Sequence, residues 1–177
     1  YRPCGYPQNL GLNAYVPKIA KKMLYAKEFA GIEQLEFDKG VSFAKSHPWW
    51  RWFSSYIRLA DPKVFQPNAI HGIPHGYKCA IFALIFALCR KLSEREAKTL
   101  VLGGLYHDIG RLYYDRGRSH GRIGADLIAN VIPNDSDVLI EDLKNCIRFH
   151  DLKEDVADRF LLQALRDMDT LDYLRLG

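Results

Sequence analysis

The chain has 177 residues, 48% apolar and 26% charged, with a formal net charge of +4. That length suits one domain with a substantial core, and the apolar share excludes a disordered chain. The small positive balance, with no dominant Lys/Arg run, gives no strong nucleic-acid signal and stays compatible with small phosphorylated ligands.

The patterning is helical from end to end. Residues 16–30 carry a helical periodicity opened by Pro17, a favoured first-turn residue, and Gly31 is expected to close it. Trp49, Trp50, Trp52, Phe53 and Tyr56 form an aromatic patch that reads as core, with substrate stacking the minority reading. Residues 61–73 are rich in Pro and Gly and read as a loop. Pro74 then fits the first position of a helix over 74–92. Its apolar run at 80–89 is too short to cross a bilayer, so it reads as a buried core helix and no membrane association is expected. Ser93-Glu94-Arg95-Glu96 is a capping box, and the helix it opens is expected over 94–108, broken by Gly110. A basic loop at 111–119 and a short helix at 121–131 follow. Asp135 or Ser136 is expected to cap a helix reaching His150, and 155–176 forms the last helix. No stretch alternates with period two and no repeat is visible, so the fold class is all-α.

Cys4, Cys79, Cys89 and Cys146 form no Cys-x-x-Cys pair. The last three lie in apolar helical patterns and read as reduced core thiols, which points to a reducing, cytoplasmic compartment. The chain begins at Tyr1 and not at Met, which is compatible with a removed signal or an upstream segment.

Against this background His107-Asp108 stands out. The pair ends the apolar run Leu100-Val101-Leu102-Gly103-Gly104-Leu105-Tyr106. A histidine and a carboxylate there are costly to bury without a partner, and a metal ion is the commonest one. On a helix their side chains diverge by ~100°, so they cannot approach one ion from the same side, whereas a carboxylate can bridge two. Leu139, Leu143, Cys146 and His150 share one stripe, and Leu162, Leu165, Asp169 and Asp172 share another. Each polar member has an ordinary reading alone, as a satisfied core histidine or a surface acid; their coincidence argues for a cation. His71 and His75 are four apart, but Pro74 disfavours helix at Ile73. His71 is therefore expected in the loop, as a capping or loop-fixing residue and not a ligand.

Five ordered segments, over 71–177, carry a resemblance: His71-Gly72-Ile73-Pro74-His75, Leu105-Tyr106-His107-Asp108-Ile109-Gly110, His120-Gly121-Arg122-Ile123-Gly124-Ala125, Cys146-Ile147-Arg148-Phe149-His150-Asp151 and Asp167-Met168-Asp169-Thr170-Leu171-Asp172. Together they resemble the HD superfamily of metal-dependent phosphohydrolases. The resemblance implies a helical bundle converging on metal, with residues 71–177 as the metal-binding domain. Residues 1–70 match nothing in it and are expected to be a helical extension packed on the same core. It implies that His75, His107, Asp108 and Asp169 hold one ion. His120, His150 and a bridging Asp108 would hold a second. Arg111 stands where many members carry lysine, and arginine grips phosphate with a different geometry.

The implied activity is hydrolysis of a phosphate mono- or diester, a nucleotide being one candidate, with His107 and Asp108 at the catalytic centre. Four imidazoles and two carboxylates suit Fe, Mn, Co, Ni or Zn better than Mg or Ca. Arg111 and Arg122 are the expected phosphate contacts; Arg116 and Arg118 read as a solvated loop. Some relatives with the same six-ligand pattern use iron and dioxygen, so a di-iron oxygenase is the alternative, and a binding module without turnover is a third reading.

Overall fold

The computed structural model describes residues 30–67, 71–113, 119–132, 135, 137–152 and 159–176. It is all-α, with no strand among these residues. Seven α-helices are described: α1 Ala30–Ser46, α2 Trp50–Leu59, α3 Ile73–Arg90, α4 Glu94–Tyr106, α5 His120–Leu127, α6 Ile140–Phe149 and α7 Phe160–Leu176. Short 3-10 segments lie at Pro62–Val64, Ile109–Tyr113 and Ile128–Asn130.

The central pair is α3 and α4, and two glycines set their separation. A Cβ on Gly104 would lie 2.9 Å from the Cys79 carbonyl carbon, and one on Gly76 would collide with the Leu105 carbonyl oxygen. The two backbones therefore touch, and this places His75, next to Gly76, opposite His107. Helix α7 packs on α3 and α4, while α5 pairs with α6 and with the 109–113 segment. Here Gly110 admits the His120 carbonyl where any Cβ would overlap it. Leu84, Leu100, Leu102, Leu105, Leu143, Ile147, Leu162 and Leu165 fill the interior. Burying each such side chain contributes ~1.5–3 kcal/mol.

Ala44, Phe53, Tyr56, Ala60 and Phe65 belong to the same core cluster. The aromatic patch is thus core, with Trp50 against Phe53 at 4.9 Å and Trp52 against Tyr56 at 5.5 Å between ring centroids. Helix α3 is long and apolar enough to cross a membrane by composition alone, but most of it is buried inside the protein.

Several local expectations hold. The Ser93/Glu96 capping box is present, Pro74 lies in the first turn of α3, and His71 lies outside that helix, although Ile73 is its first residue and not the residue before it. Others do not. Gly31 lies inside α1 and ends nothing there. Helix α4 stops at Tyr106, so His107 and Asp108 sit in a turn, not on the helix. Helix α6 starts at Ile140, and Asp135 instead accepts from the Asp137 N–H. Residues 16–29 of the expected 16–30 helix, Cys4, Arg116, Arg118, Pro133 (expected to end the 121–131 helix), Ser136 and the expected start of the last helix at Asp155 fall outside the described residues.

Candidate metal centre

Each inward polar side chain is delivered by a helix end or a helix stripe. His75 comes from the first turn of α3, His107 and Asp108 from the turn closing α4, and His120 opens α5 behind the Ser119 cap. His150 closes α6, and Asp169 and Asp172 lie on α7. All four histidines and Asp108 are buried.

They form two subsets that share Asp108. In the first, His75 Nε2 lies 3.1 Å from His107 Nε2, and Asp169 Oδ1 lies 3.2 Å and 3.5 Å from those two nitrogens. Asp108 Oδ2 is 3.7 Å from each of them. In the second, His120 Nε2 lies 3.0 Å from His150 Nε2, and Asp108 Oδ1 is 3.1 Å and 3.6 Å away. One carboxylate thus turns one oxygen to each histidine pair.

The opposite ring nitrogens explain why these atoms need a cation. His107 Nδ1 donates to the Gly104 carbonyl at 2.9 Å, and His150 Nδ1 to the Ile147 carbonyl at 2.7 Å. Both are carbonyls of a last helical turn, left without an intrahelical partner. His75 Nδ1 donates to Asp172 Oδ2 at 2.7 Å, and His120 Nδ1 faces Asp151 Oδ2 at 3.1 Å. These partners only accept, so each Nδ1 carries its proton, and a ring in its neutral form turns a bare Nε2 inward. Lone pairs then face lone pairs across each histidine pair. Asp169 Oδ1 is buried beside them without a hydrogen-bond donor. Such an electron-rich pocket fits a divalent ion, and the outer acceptors are those that orient metal-bound histidines.

Without a cation the same excess of acceptors draws protons onto the rings. Burial acts to lower the pKa of His75, yet Asp169 and Asp172 outweigh it and push the imidazole up to about 12. His107 is also raised, with burial opposed by Asp108 and Asp169. Burial acts to raise Asp108, but His107, His120, His150 and Arg111 hold it well below the usual carboxylate range. Asp169 is held down likewise by His107 and His75 against its burial. His150, in contrast, is lowered by burial. The centre keeps its carboxylates ionised and calls for positive charge between them.

All six residues of the expected ligand set, His75, His107, Asp108, His120, His150 and Asp169, therefore meet. Arg111 joins them, its Nε donating to Asp108 Oδ1 at 2.7 Å. Arg122 does not: its residue is exposed, and no described side-chain contact joins it to the centre. His71, expected only to fix a loop, places Nδ1 2.9 Å from Asp108 Oδ2. Cys79, read as a core thiol, is fully buried and also flanks the His75 ring, its sulfur 3.8 Å from both ring nitrogens. Burial pushes that thiol up to about 12. Asp172 was expected on the inward stripe beside Asp169 but not in the ligand set, and Asp151 had no expected role, although both lie in the motifs quoted above.

The family profile described as HD domain matches residues 77–176. The chain belongs to the HD-domain family, whose members are typically metal-dependent hydrolases. The matched span holds His107, Asp108, His120, His150 and Asp169 and begins just after His75. No curated protein and no solved structure matches the chain.

Proposed function

We propose that this chain is a phosphohydrolase that cleaves a phosphate mono- or diester, a nucleotide being one candidate, at a centre of two divalent transition-metal ions drawn from Fe, Mn, Co, Ni or Zn. The observation that supports it best is Asp108, which presents one oxygen to each pair of histidine Nε2 atoms. His75, His107, Asp169 and Asp108 would hold one ion; His120, His150 and Asp108 would hold the other. Ions so bound lower the pKa of water and neutralise phosphoryl oxygens. Arg111 anchors its Nε on Asp108 and presents the rest of its fork to a phosphate oxygen. Asp151 and the two backbone carbonyls hold the rings of His120, His107 and His150 in the ligating tautomer. Residues 71–177 make up this unit, with the preceding helices as its cap, in a cytoplasmic setting that suits the free thiols of Cys79, Cys89 and Cys146.

The deciding experiment starts from anaerobically purified, metal-analysed protein. It screens phosphate esters for release of phosphate with Mn²⁺ or Fe²⁺, with and without a chelator. Hydrolysis without oxygen is expected, stopped by chelation, with Arg111→Ala mainly raising KM. Turnover that required iron, consumed dioxygen and released no phosphate would replace this reading with the oxygenase one.

A further inference from the structure

Three of the four inward histidines orient on ordinary acceptors: two backbone carbonyls and the partly exposed Asp151. His75 is different. Its acceptor, Asp172, is 1% exposed at the side chain, and the second oxygen of that carboxylate lies 3.2 Å from Lys78 Nζ, on a side chain 40% exposed. His75 and Lys78 stand three residues apart on α3, so one carboxylate from α7 receives both.

We propose that Asp172 is a positioning residue of the metal centre: by accepting from His75 at one oxygen, while Lys78 pairs with the other, it locks the proton on His75 Nδ1 and keeps Nε2 bare toward His107 and Asp169. This rests on His75 being a ligand, as argued above.

The chemistry explains why the residue is a carboxylate. An ionised carboxylate accepts at both oxygens, whereas an amide of the same shape has one acceptor and one donor, and an ammonium only donates. In Asp172→Asn the amide oxygen must therefore turn to Lys78, and its NH₂ group faces His75 Nδ1. That contact demands a bare Nδ1 and moves the proton to Nε2, the atom that has to bind the ion. Lys78 thus dictates which way the amide points, and removing its charge lets the oxygen return to His75.

The test uses the full chain. Calorimetric titration of the metal-free protein with Mn²⁺ is expected to show one site weakened on the order of 10–100-fold in Asp172→Asn. Lys78→Met alone should change little, and the Asp172→Asn/Lys78→Met double variant should recover most of the loss. A merely structural role would not give that recovery, so a double variant as weak as the single one, or weaker, overturns the proposal. Nitrogen-15 NMR of the Zn²⁺-loaded wild-type protein should place the His75 proton on Nδ1; a proton on Nε2 overturns it even if no variant folds. Unchanged affinity in Asp172→Asn, with an ion lost in His75→Ala, would remove the positioning role and leave the ligand reading standing. If His75→Ala binds both ions as wild type does, the ligand reading itself fails.

Discussion

Two buried polar clusters among the described residues are satisfied in opposite ways. Around Lys98, which is 6% exposed, the chain supplies every partner. Asp135 and Asp137 lie 3.1 Å from the ammonium and Glu94 3.4 Å, Tyr56 donates its hydroxyl to Asp135, and the Trp52 ring lies 6.0 Å from the charge. Donors meet acceptors, cation meets anions, and the result ties α2 to α4 and the turn before α6. Around Asp108 the chain supplies acceptors facing acceptors, with Arg111 as the main cation. The first cluster is complete as folded and acts as a fastener; the second is complete only with added positive charge, as the proposed cation site requires. A buried polar cluster therefore becomes a functional candidate through the mismatch among its members, not through burial.

The sharpest way to break the comparison is Asp108→Ala. It removes the one carboxylate common to both histidine pairs, and phosphate-ester turnover is expected to fall by roughly 10³-fold or more. Steady-state phosphate release checks it; a variant with near-normal kcat would return the centre to the status of a structural cluster.

Metal should act on one cluster alone. A divalent ion at about 100 times its Kd adds ~2.7 kcal/mol to the folded state. For a chain of this size that raises Tm by roughly 5–10 °C. Scanning calorimetry with Mn²⁺ should show the rise and a chelator should reverse it. The same rise should occur in a Lys98→Met variant.

Lys98→Met probes the fastener. Its carboxylates lose their shared cation, which would cost ~3–5 kcal/mol for a fully buried pair. Glu94 and Asp137 are half exposed, so the expected loss is nearer ~2 kcal/mol, read by urea unfolding, with Mn²⁺ affinity unchanged.

The smallest effect belongs to Tyr56→Phe, which removes one hydrogen bond to Asp135 and should cost ~1 kcal/mol at neutral pH. Burial acts to raise the pKa of Asp135, but Tyr56, the Asp137 N–H and Lys98 hold it below its ordinary 3.8. A depressed carboxyl adds stability that is fully present above the unfolded value and lost as pH falls through the folded one. The gap between wild type and Tyr56→Phe should therefore persist above pH 3.8 and close as the pH falls through the lower, folded-state value of Asp135. A gap independent of pH would show that Tyr56 contributes by packing and not through the carboxylate.

How much of this was legible in the sequence follows from what kind of group does the work. His150 and Asp169 could be found because a titratable residue on a leucine stripe violates the apolar pattern, and the Ser93/Glu96 cap because both halves are side chains. The orienting partners of His107 and His150 are backbone carbonyls, which carry no residue identity, and only the position of each histidine at a helix end hints at them. The contact of His71 with Asp108 depends on a loop path that periodicity does not encode. The stop at Tyr106 was missed because nothing forbids helix before Gly110; tertiary packing of the 109–113 segment against α5 ends it. Asp135 looked like a helix cap because caps and turns use the same residue types, and Lys98 draws it away.

The contact of α3 and α4 through Gly76 and Gly104 has a consequence for which ion is admitted. His75 and His107 are spaced by two main chains in van der Waals contact, and main chains yield far less than side chains do. The gap between the two Nε2 atoms is therefore a rigid calliper, and the radius of the ion must conform to it. Gly104→Ala would push a methyl group into the Cys79 carbonyl, part the helices and open the calliper. Selectivity should then drift from the smaller transition ions toward Mn²⁺ while every ligand keeps its identity. On the proposed reading, the preference of this centre among chemically similar metals is set by two residues that have no side chain.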